Sequence, residues 1–177
     1  MKVTGLCFLV VLLYSCTPNE QNKSQKIAYF NIKGYFEKEA ERLNGLNLKM
    51  HKTVSIDGVK EHKLVKIHDF KNELNTFISS DINKGSWKGA FTVKKEGDLA
   101  LYMSENEKVP VKRVEIRYQN NKVKSIQIFI KTANILYHSS DTLNYYPDSL
   151  YEIRKTQKIK LLKEKKYIVI GKFKRPI

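Results

Sequence analysis

The sequence predicts an α+β fold in which two amphipathic helices pack on one face of a curved, mostly antiparallel sheet of about eight or nine strands. Three observations predict this class. Apolar residues recur at helical spacing only in the first half of the chain, whereas apolar and polar residues alternate along much of the second half. Turn-forming residues interrupt the second half at short intervals, which favours hairpins over crossover connections. A closed or half-open β-barrel is the alternative.

The two predicted helices lie before the predicted sheet's main run of strands. Residues 35–44 place Phe36, Ala40 and Leu43 on one side of a helix, with charged residues between them. In the later stretch "HDFKNELNTFISSDI", apolar residues recur at i, i+4, i+7 and i+8, and Asp69 stands where an N-cap is expected. Each helix would therefore bury one side against the sheet.

Turn signals divide the predicted strands. The stretch "KRVEIRYQNNKVKSIQIFI" alternates Val114, Ile116 and Tyr118 with charged residues, which is typical of a strand with one buried and one solvated face. Glycine, asparagine, aspartate and serine favour turns because they tolerate positive φ or bond to nearby backbone. The predicted turns are Asp57-Gly58, Glu96-Gly97-Asp98, Asn120-Asn121, Ser140-Asp141, Pro147-Asp148 and Lys163-Glu164-Lys165.

The amino-terminal residues have the character of an export signal. Lys2 precedes an unbroken apolar run over residues 6–13, and polar residues follow from Thr17. This run is shorter than the roughly 20 apolar residues that a membrane-spanning helix needs. Its end, Leu13-Tyr14-Ser15-Cys16, resembles the lipobox of bacterial lipoproteins, which has an aliphatic residue three places before an invariant cysteine and a small residue one place before it. Tyr14 is larger than the residue usual at its position.

The resemblance implies that the chain is processed and lipidated. A diacylglyceryl group would join the Cys16 thiol, residues 1–15 would be removed as a signal peptide, and the freed amine would take a further acyl chain such as palmitate. Two or more acyl chains anchor a protein stably, because each buried methylene contributes about 0.8 kcal/mol. Thr17, in place of the aspartate that retains lipoproteins at the inner membrane, implies the outer membrane. The alternatives are an ordinary signal peptide cut elsewhere and a hydrophobic core strand.

The rest of the chain divides into a tether and one domain. Residues 16–26 are predicted to form a lipidated flexible tether, since the stretch "TPNEQNKSQ" has no apolar residue. Residues 27–177 are long enough for a single α+β domain with its own core. The chain has two cysteines, and lipoprotein processing removes Cys7 and consumes Cys16. Disulfides, thiolate nucleophiles and cysteine-based zinc sites are then excluded.

Charge limits the class of partner. The chain has 33 Lys and Arg residues against 18 Asp and Glu residues, a formal net charge of +15. Such a surplus suits nucleic acid, anionic lipid or acidic polysaccharide. An exported lipoprotein does not normally meet nucleic acid. The expected partner is the membrane that holds the Cys16 anchor, with anionic lipid or polysaccharide as candidate ligands; the alternative is that the basic surplus serves general solubility alone.

No catalytic residue, metal ligand or cofactor site is predicted. The histidines lack the i, i+4 spacing of a zinc hydrolase, and the glycines lack the spacing of a phosphate-binding loop. "HSSD" at residues 138–141 is interpreted as a turn, because neighbours in an extended chain point to opposite faces and cannot form a catalytic relay. Glu37, Glu39 and Glu41 are interpreted as a solvated helix face.

Three aromatic residues are candidate ligand contacts. Trp87 stands among Gly, Ser and Lys in "SDINKGSWKGAF", away from any periodic apolar face, and Tyr145 and Tyr146 belong to a tyrosine-rich segment. Aromatic rings of this kind can stack on sugars or line a lipid groove. The alternatives are that Trp87 plugs one end of the sheet and that the tyrosines are core or interface residues.

The leading functional hypothesis is a non-enzymatic envelope lipoprotein that acts as a binding or interaction module. One alternative is a carrier with an apolar cavity, because a helix followed by a curved sheet is similar to the half-barrel carriers that shuttle lipoproteins across the periplasm. That likeness concerns fold alone. The other alternative is a hydrolase of cell wall or polysaccharide, with a carboxylate pair that the sequence does not locate.

Overall fold

The computed structural model describes residues 28–46 and 48–174, which form one nine-stranded sheet and three helices. The predicted signal peptide, the predicted lipidation site Cys16 and the predicted tether lie outside the described residues. The helices are α1 (Ile32–Gly45), α2 (Phe70–Glu73) and α3 (Asn75–Ile78). Most of the described chain is therefore β structure.

All neighbouring strands of the sheet are antiparallel, in the order β2-β1-β9-β8-β7-β6-β5-β4-β3. The pairing of β1 with β9 places the β1–β2 hairpin beside the last strand of the sheet. Strands β2 and β3 form the two edges of this open sheet, so the closed-barrel alternative is wrong. The strands are β1 (Lys49–Ile56), β2 (Val59–Lys66), β3 (Thr92–Glu96), β4 (Leu99–Met103), β5 (Val111–Gln119), β6 (Lys122–Ala133), β7 (Tyr137–Tyr146), β8 (Leu150–Ile159) and β9 (Lys165–Lys174).

The first predicted helix is confirmed and the second is not. Helix α1 is longer than predicted, begins at an Asn31 cap that accepts from the Gly34 N–H, and buries Phe36 and Leu43. In the second segment Asp69 caps α2 as expected, but the chain leaves helical geometry at Leu74 and resumes as α3. The asparagines and threonine around Leu74 are weak helix formers, whereas the apolar side chains are buried as predicted.

Five of the six predicted turns connect strands, and the prediction for Ser140-Asp141 is wrong. These two residues lie inside β7, where the Ser139 hydroxyl donates to the Asp141 carboxylate two residues away on the same face. The connection from β6 to β7 lies instead at residues 134–136. Its signal is Asn134, whose side-chain oxygen accepts from the N–H groups of Leu136 and Tyr137.

The core lies between the helices and one face of the sheet. One row of cross-strand partners crosses β5 to β9 on this face, and every member is buried: Ile116, Ile126, Tyr145, Tyr151 and Gly171. A Cβ atom at Gly171 would meet the Tyr151 ring and lie 2.5 Å from the Met50 sulfur. Position 171 therefore favours glycine, because any larger residue would clash with the Met50 and Tyr151 side chains.

Candidate functional site: carboxylates and aromatic residues between helices and sheet

Two glutamates lie in the layer between the helices and the sheet. Glu39 is on α1 and is 9% exposed, and Glu73 ends α2 with its side chain 14% exposed. Their partners in the sheet are Tyr145 and Tyr151, which lie directly opposite each other on β7 and β8. The Tyr145 hydroxyl donates to Glu39 over 2.5 Å, and the Tyr151 hydroxyl donates to Glu73. Each helix carboxylate is thus bonded to one tyrosine of the same hairpin.

Each glutamate also has a cationic partner. The Arg42 guanidinium donates to both oxygens of Glu39, over 2.8 and 2.7 Å, and it also lies 2.7 Å from Asp148 in the β7–β8 turn. The Lys52 ammonium of β1 lies 2.8 Å from Glu73. Buried carboxylates need such partners, because an unpaired buried charge costs several kcal/mol. Both carboxylates are therefore fully engaged by groups of this chain.

The tyrosine hydroxyls of this layer are held as donors. Burial, and then the neighbouring Glu39 carboxylate, raises the pKa of Tyr145 far above its ordinary value. Burial and the hydrogen bond to Glu73 do the same to the pKa of Tyr151. The pKa of Tyr35 is also raised, by burial first and by Glu39 second. The Tyr145 and Tyr151 hydroxyls therefore stay protonated across the physiological range and keep donating to Glu39 and Glu73.

Aromatic rings fill the space around the carboxylates. Phe36 of α1 lies 4.8 Å from Phe77 of α3 and 5.0 Å from Tyr145, between ring centroids. Phe77 also contacts Tyr151 edge-on at 6.2 Å. A carboxylate that acts as a general acid or base must reach a substrate. The observed geometry instead fits a structural role, in which two polar pairs join α1 and α2 to the sheet.

Neither glutamate is predicted as a site residue from the sequence, and the interpretation of Glu39 as part of a solvated helix face is wrong. Glu39 lies three residues after Phe36 and one before Ala40, so it falls on the buried side of α1. That spacing was visible in the sequence. Its partner was not, because the contact with Tyr145 joins residues 106 positions apart.

The three candidate ligand residues do not share one site. Tyr145 is buried and belongs to the core, whereas Tyr146 points to the opposite face of the sheet and is 43% exposed. Trp87 ends a short 3₁₀ turn (Gly85–Trp87), packs against the core, and has the Lys84 ammonium 4.3 Å above its ring. A ligand contact by Trp87 or Tyr146 stays a prediction.

The outer face of the sheet carries a hydrogen-bonded polar row. The Gln127 amide donates to Asn144 over 2.9 Å, and Asn144 donates to Glu152 over 3.1 Å. Burial raises the pKa of Glu152, but the bonds from Arg154 and Asn144 outweigh it, so this pKa lies below its usual range. The row links β6, β7 and β8 on a face that meets water.

An open cleft of about 610 Å³ lies where β3 begins and β4 ends, and Lys112, Arg113 and Glu105 are its charged residues.

Among residues 28–46 and 48–174, no group of three or more His, Cys, Asp and Glu side chains could hold a metal ion. In the same part of the chain, no helix is long and apolar enough to cross a membrane.

No protein-family model, curated protein or solved structure matches the chain.

Proposed function

We propose that this protein is a lipid-anchored, non-enzymatic binding module of the bacterial cell envelope, held at the outer membrane by acyl chains on Cys16. One observation carries the proposal: Leu13-Tyr14-Ser15-Cys16 closes a short apolar run that follows Lys2. The strong basic surplus supports a site next to anionic envelope components.

The point where the chain enters the fold is compatible with such an anchor. The Asn83 side chain accepts from the N–H groups of Ala28 and Tyr29 and donates to the Phe30 carbonyl. These bonds fix the start of the folded body. Residues 17–27 would span about 36 Å at full extension. An acylated Cys16 would therefore keep the body close to the bilayer without dictating its orientation.

Binding is better supported than catalysis or transport. A hydrolase needs carboxylates that reach a substrate, whereas Glu39 and Glu73 are each engaged by a tyrosine and a cation. A carrier needs an apolar cavity between helices and sheet, and Phe36, Phe77 and Tyr145 pack closely in that space. Both alternatives therefore have less support than a binding module.

Incorporation of a labelled palmitate analogue in growing bacterial cells tests the anchor. We expect the wild-type chain to be labelled and Cys16→Ser to be unlabelled, because the acyl chains are expected on Cys16, the first residue after the predicted cleavage point. Cys7→Ser is the matched control, since it changes the other cysteine and should leave labelling intact. Labelling of Cys16→Ser, or an unlabelled wild-type chain, would contradict the proposal.

A further inference from the structure

Exposed apolar side chains concentrate on three hairpin tips. These tips, which we call the tip surface, are residues 56–60 between β1 and β2, 131–138 between β6 and β7, and 157–167 between β8 and β9. Among the described residues, seven of the twelve exposed large apolar side chains lie on the tip surface. They are Ile56, Val59, Ile135, Leu136, Ile159, Leu161 and Leu162.

The three tips are neighbours at one end of the sheet. The strand order brings β1, β9, β8 and β7 side by side, so the antiparallel hairpins turn at the same end. The Asp57 N–H donates to the Lys166 carbonyl over 2.9 Å, and the Lys160 N–H donates to the Leu136 carbonyl over 2.8 Å. These bonds tie each tip to the next, and the tips form one continuous surface.

The opposite end of the sheet lacks this character. Its turns are Gly97-Asp98, Asn120-Asn121 and Pro147-Asp148-Ser149, which are short and polar. The next loop at the tip end, between β4 and β5, carries the exposed acidic residues Glu105 and Glu107. The apolar tips are thus confined to three adjacent hairpins, and they are not a general property of turns in this fold.

Leu161 is the most exposed member, with 95% of its surface accessible, and it adopts a positive φ of 69°. A bulky non-glycine residue is disfavoured in this region of backbone space. Asparagine or glycine would fit the turn with less strain and without an exposed apolar side chain. The choice of leucine at this position serves neither the turn nor the core, which points to an external contact.

The tip surface is also basic. Its three segments contain seven lysines and two carboxylates, Asp57 and Glu164. The Asp57 carboxylate already accepts from the Lys166 N–H, and Glu164 lies 3.9 Å from the Lys166 ammonium. Long lysine side chains can extend their charge to a polar boundary while their stems lie along apolar surface. The surface therefore combines protruding apolar groups with a cationic rim.

We propose that the tip surface docks on an anionic phospholipid bilayer, with the apolar tips entering the interface and the lysines meeting the phosphate head groups. This inference rests on the proposed function, because the Cys16 anchor supplies the nearby membrane. Interfacial binding grows with buried apolar area and with attraction to anionic lipid, about fivefold in affinity for each basic residue near the surface. A second copy of this chain is the less favoured occupant, because its own lysines would repel this surface.

Vesicle flotation of the mature chain, residues 16–177 with Cys16→Ser, tests the docking surface without an acyl anchor. We expect flotation with phosphatidylcholine vesicles that contain phosphatidylglycerol and little flotation with phosphatidylcholine alone. Binding should decline at about 1 M salt, where the screening length is about 3 Å. The double variant Leu161→Ser/Leu162→Ser should bind at least about tenfold more weakly, since two exposed leucines no longer enter the interface.

Val93→Ser is the matched control, because Val93 is an exposed apolar residue on the edge strand β3, away from the tips. Its binding should equal that of the parent chain. Equal binding by the double leucine variant, binding independent of phosphatidylglycerol, or a concentration-dependent dimer lost in that variant would overturn the inference. Because this chain carries no acyl group, such a result leaves the palmitate test of Cys16 unaffected.

Discussion

Tyr145 and Tyr146 are adjacent in sequence, yet they meet opposite environments. The alternation of a β-strand sends Tyr145 towards the helices, where it is buried against Phe36 and bonded to Glu39, and sends Tyr146 towards solvent. The sequence pattern marks both as strand aromatics. It does not show that a carboxylate from α1 lies under one of them, because that contact depends on how the helix sits on the sheet.

The first prediction at this scale concerns the Tyr145 hydroxyl. Tyr145→Phe should lower the free energy of unfolding by about 1–3 kcal/mol at neutral pH, because the buried Glu39 carboxylate loses a donor. Urea denaturation measures this change. Tyr146→Phe is the control, and its effect should stay within about 0.5 kcal/mol because that ring is exposed. Equal effects of the two substitutions would contradict the role given to the Tyr145–Glu39 pair.

The same variant has an expected signature at alkaline pH. The pKa of Tyr145 is raised in the folded state, so the unfolded tyrosine ionises first as pH passes about 10. The stability that this group contributes is present below pH 10 and is lost progressively above it. Tyr145→Phe should therefore lose stability less steeply above pH 10 than the wild-type protein does. Parallel pH dependences would contradict this account.

At the scale of elements, local chemistry predicted most hairpins and one helix. Asp57-Gly58 and Asn120-Asn121 form their turns with positive φ, as their residue types require. Two predictions failed where polar residues act within a longer element. Ser140-Asp141 continues a strand because its neighbours pair on both sides, and the break at Leu74 divides a helix whose apolar spacing is intact. Periodicity identifies the buried side of an element better than its continuity.

The prediction at the element scale concerns the packing of β9 under its neighbours. Gly171→Ala should lower the free energy of unfolding by about 1–3 kcal/mol, because the added methyl group meets the Tyr151 ring and the Met50 sulfur. Gly45→Ala at the end of α1 is the control, since nothing lies within 4 Å of its added Cβ. It should be neutral or stabilising by up to about 1 kcal/mol. Urea denaturation of both variants distinguishes the two outcomes, and a neutral Gly171→Ala would contradict the observed packing.

At the scale of the whole molecule, the antiparallel class and the number of strands could be predicted from the sequence, but the strand order could not. Alternation of apolar and polar residues marks the buried face of a strand but not its neighbour, so it does not reveal that β1 pairs with β9, more than 100 residues later. That pairing brings the β1–β2 tip beside the β8–β9 tip. The tip surface is therefore visible only in the assembled sheet, although Leu161 and Leu162 stand out among lysines in the sequence.

Under the proposed function, a lipid-bearing amino terminus would precede a sheet that carries a basic, apolar end. The body is stabilised by its core and by two tyrosine–glutamate pairs, and the exposed apolar side chains of the tip surface belong to neither. An acylated Cys16 would keep the body near a bilayer, and the proposed docking of the tip surface would then set its orientation.

Lipidation of Cys16 is tested most directly by the mass of the amino-terminal peptide of the protein purified from bacterial membranes. We expect a peptide that begins at Cys16 and carries a diacylglyceryl group on the thiol, with or without a further acyl chain on the amine. An amino terminus at any other residue, or a Cys16 with a free thiol, would contradict it.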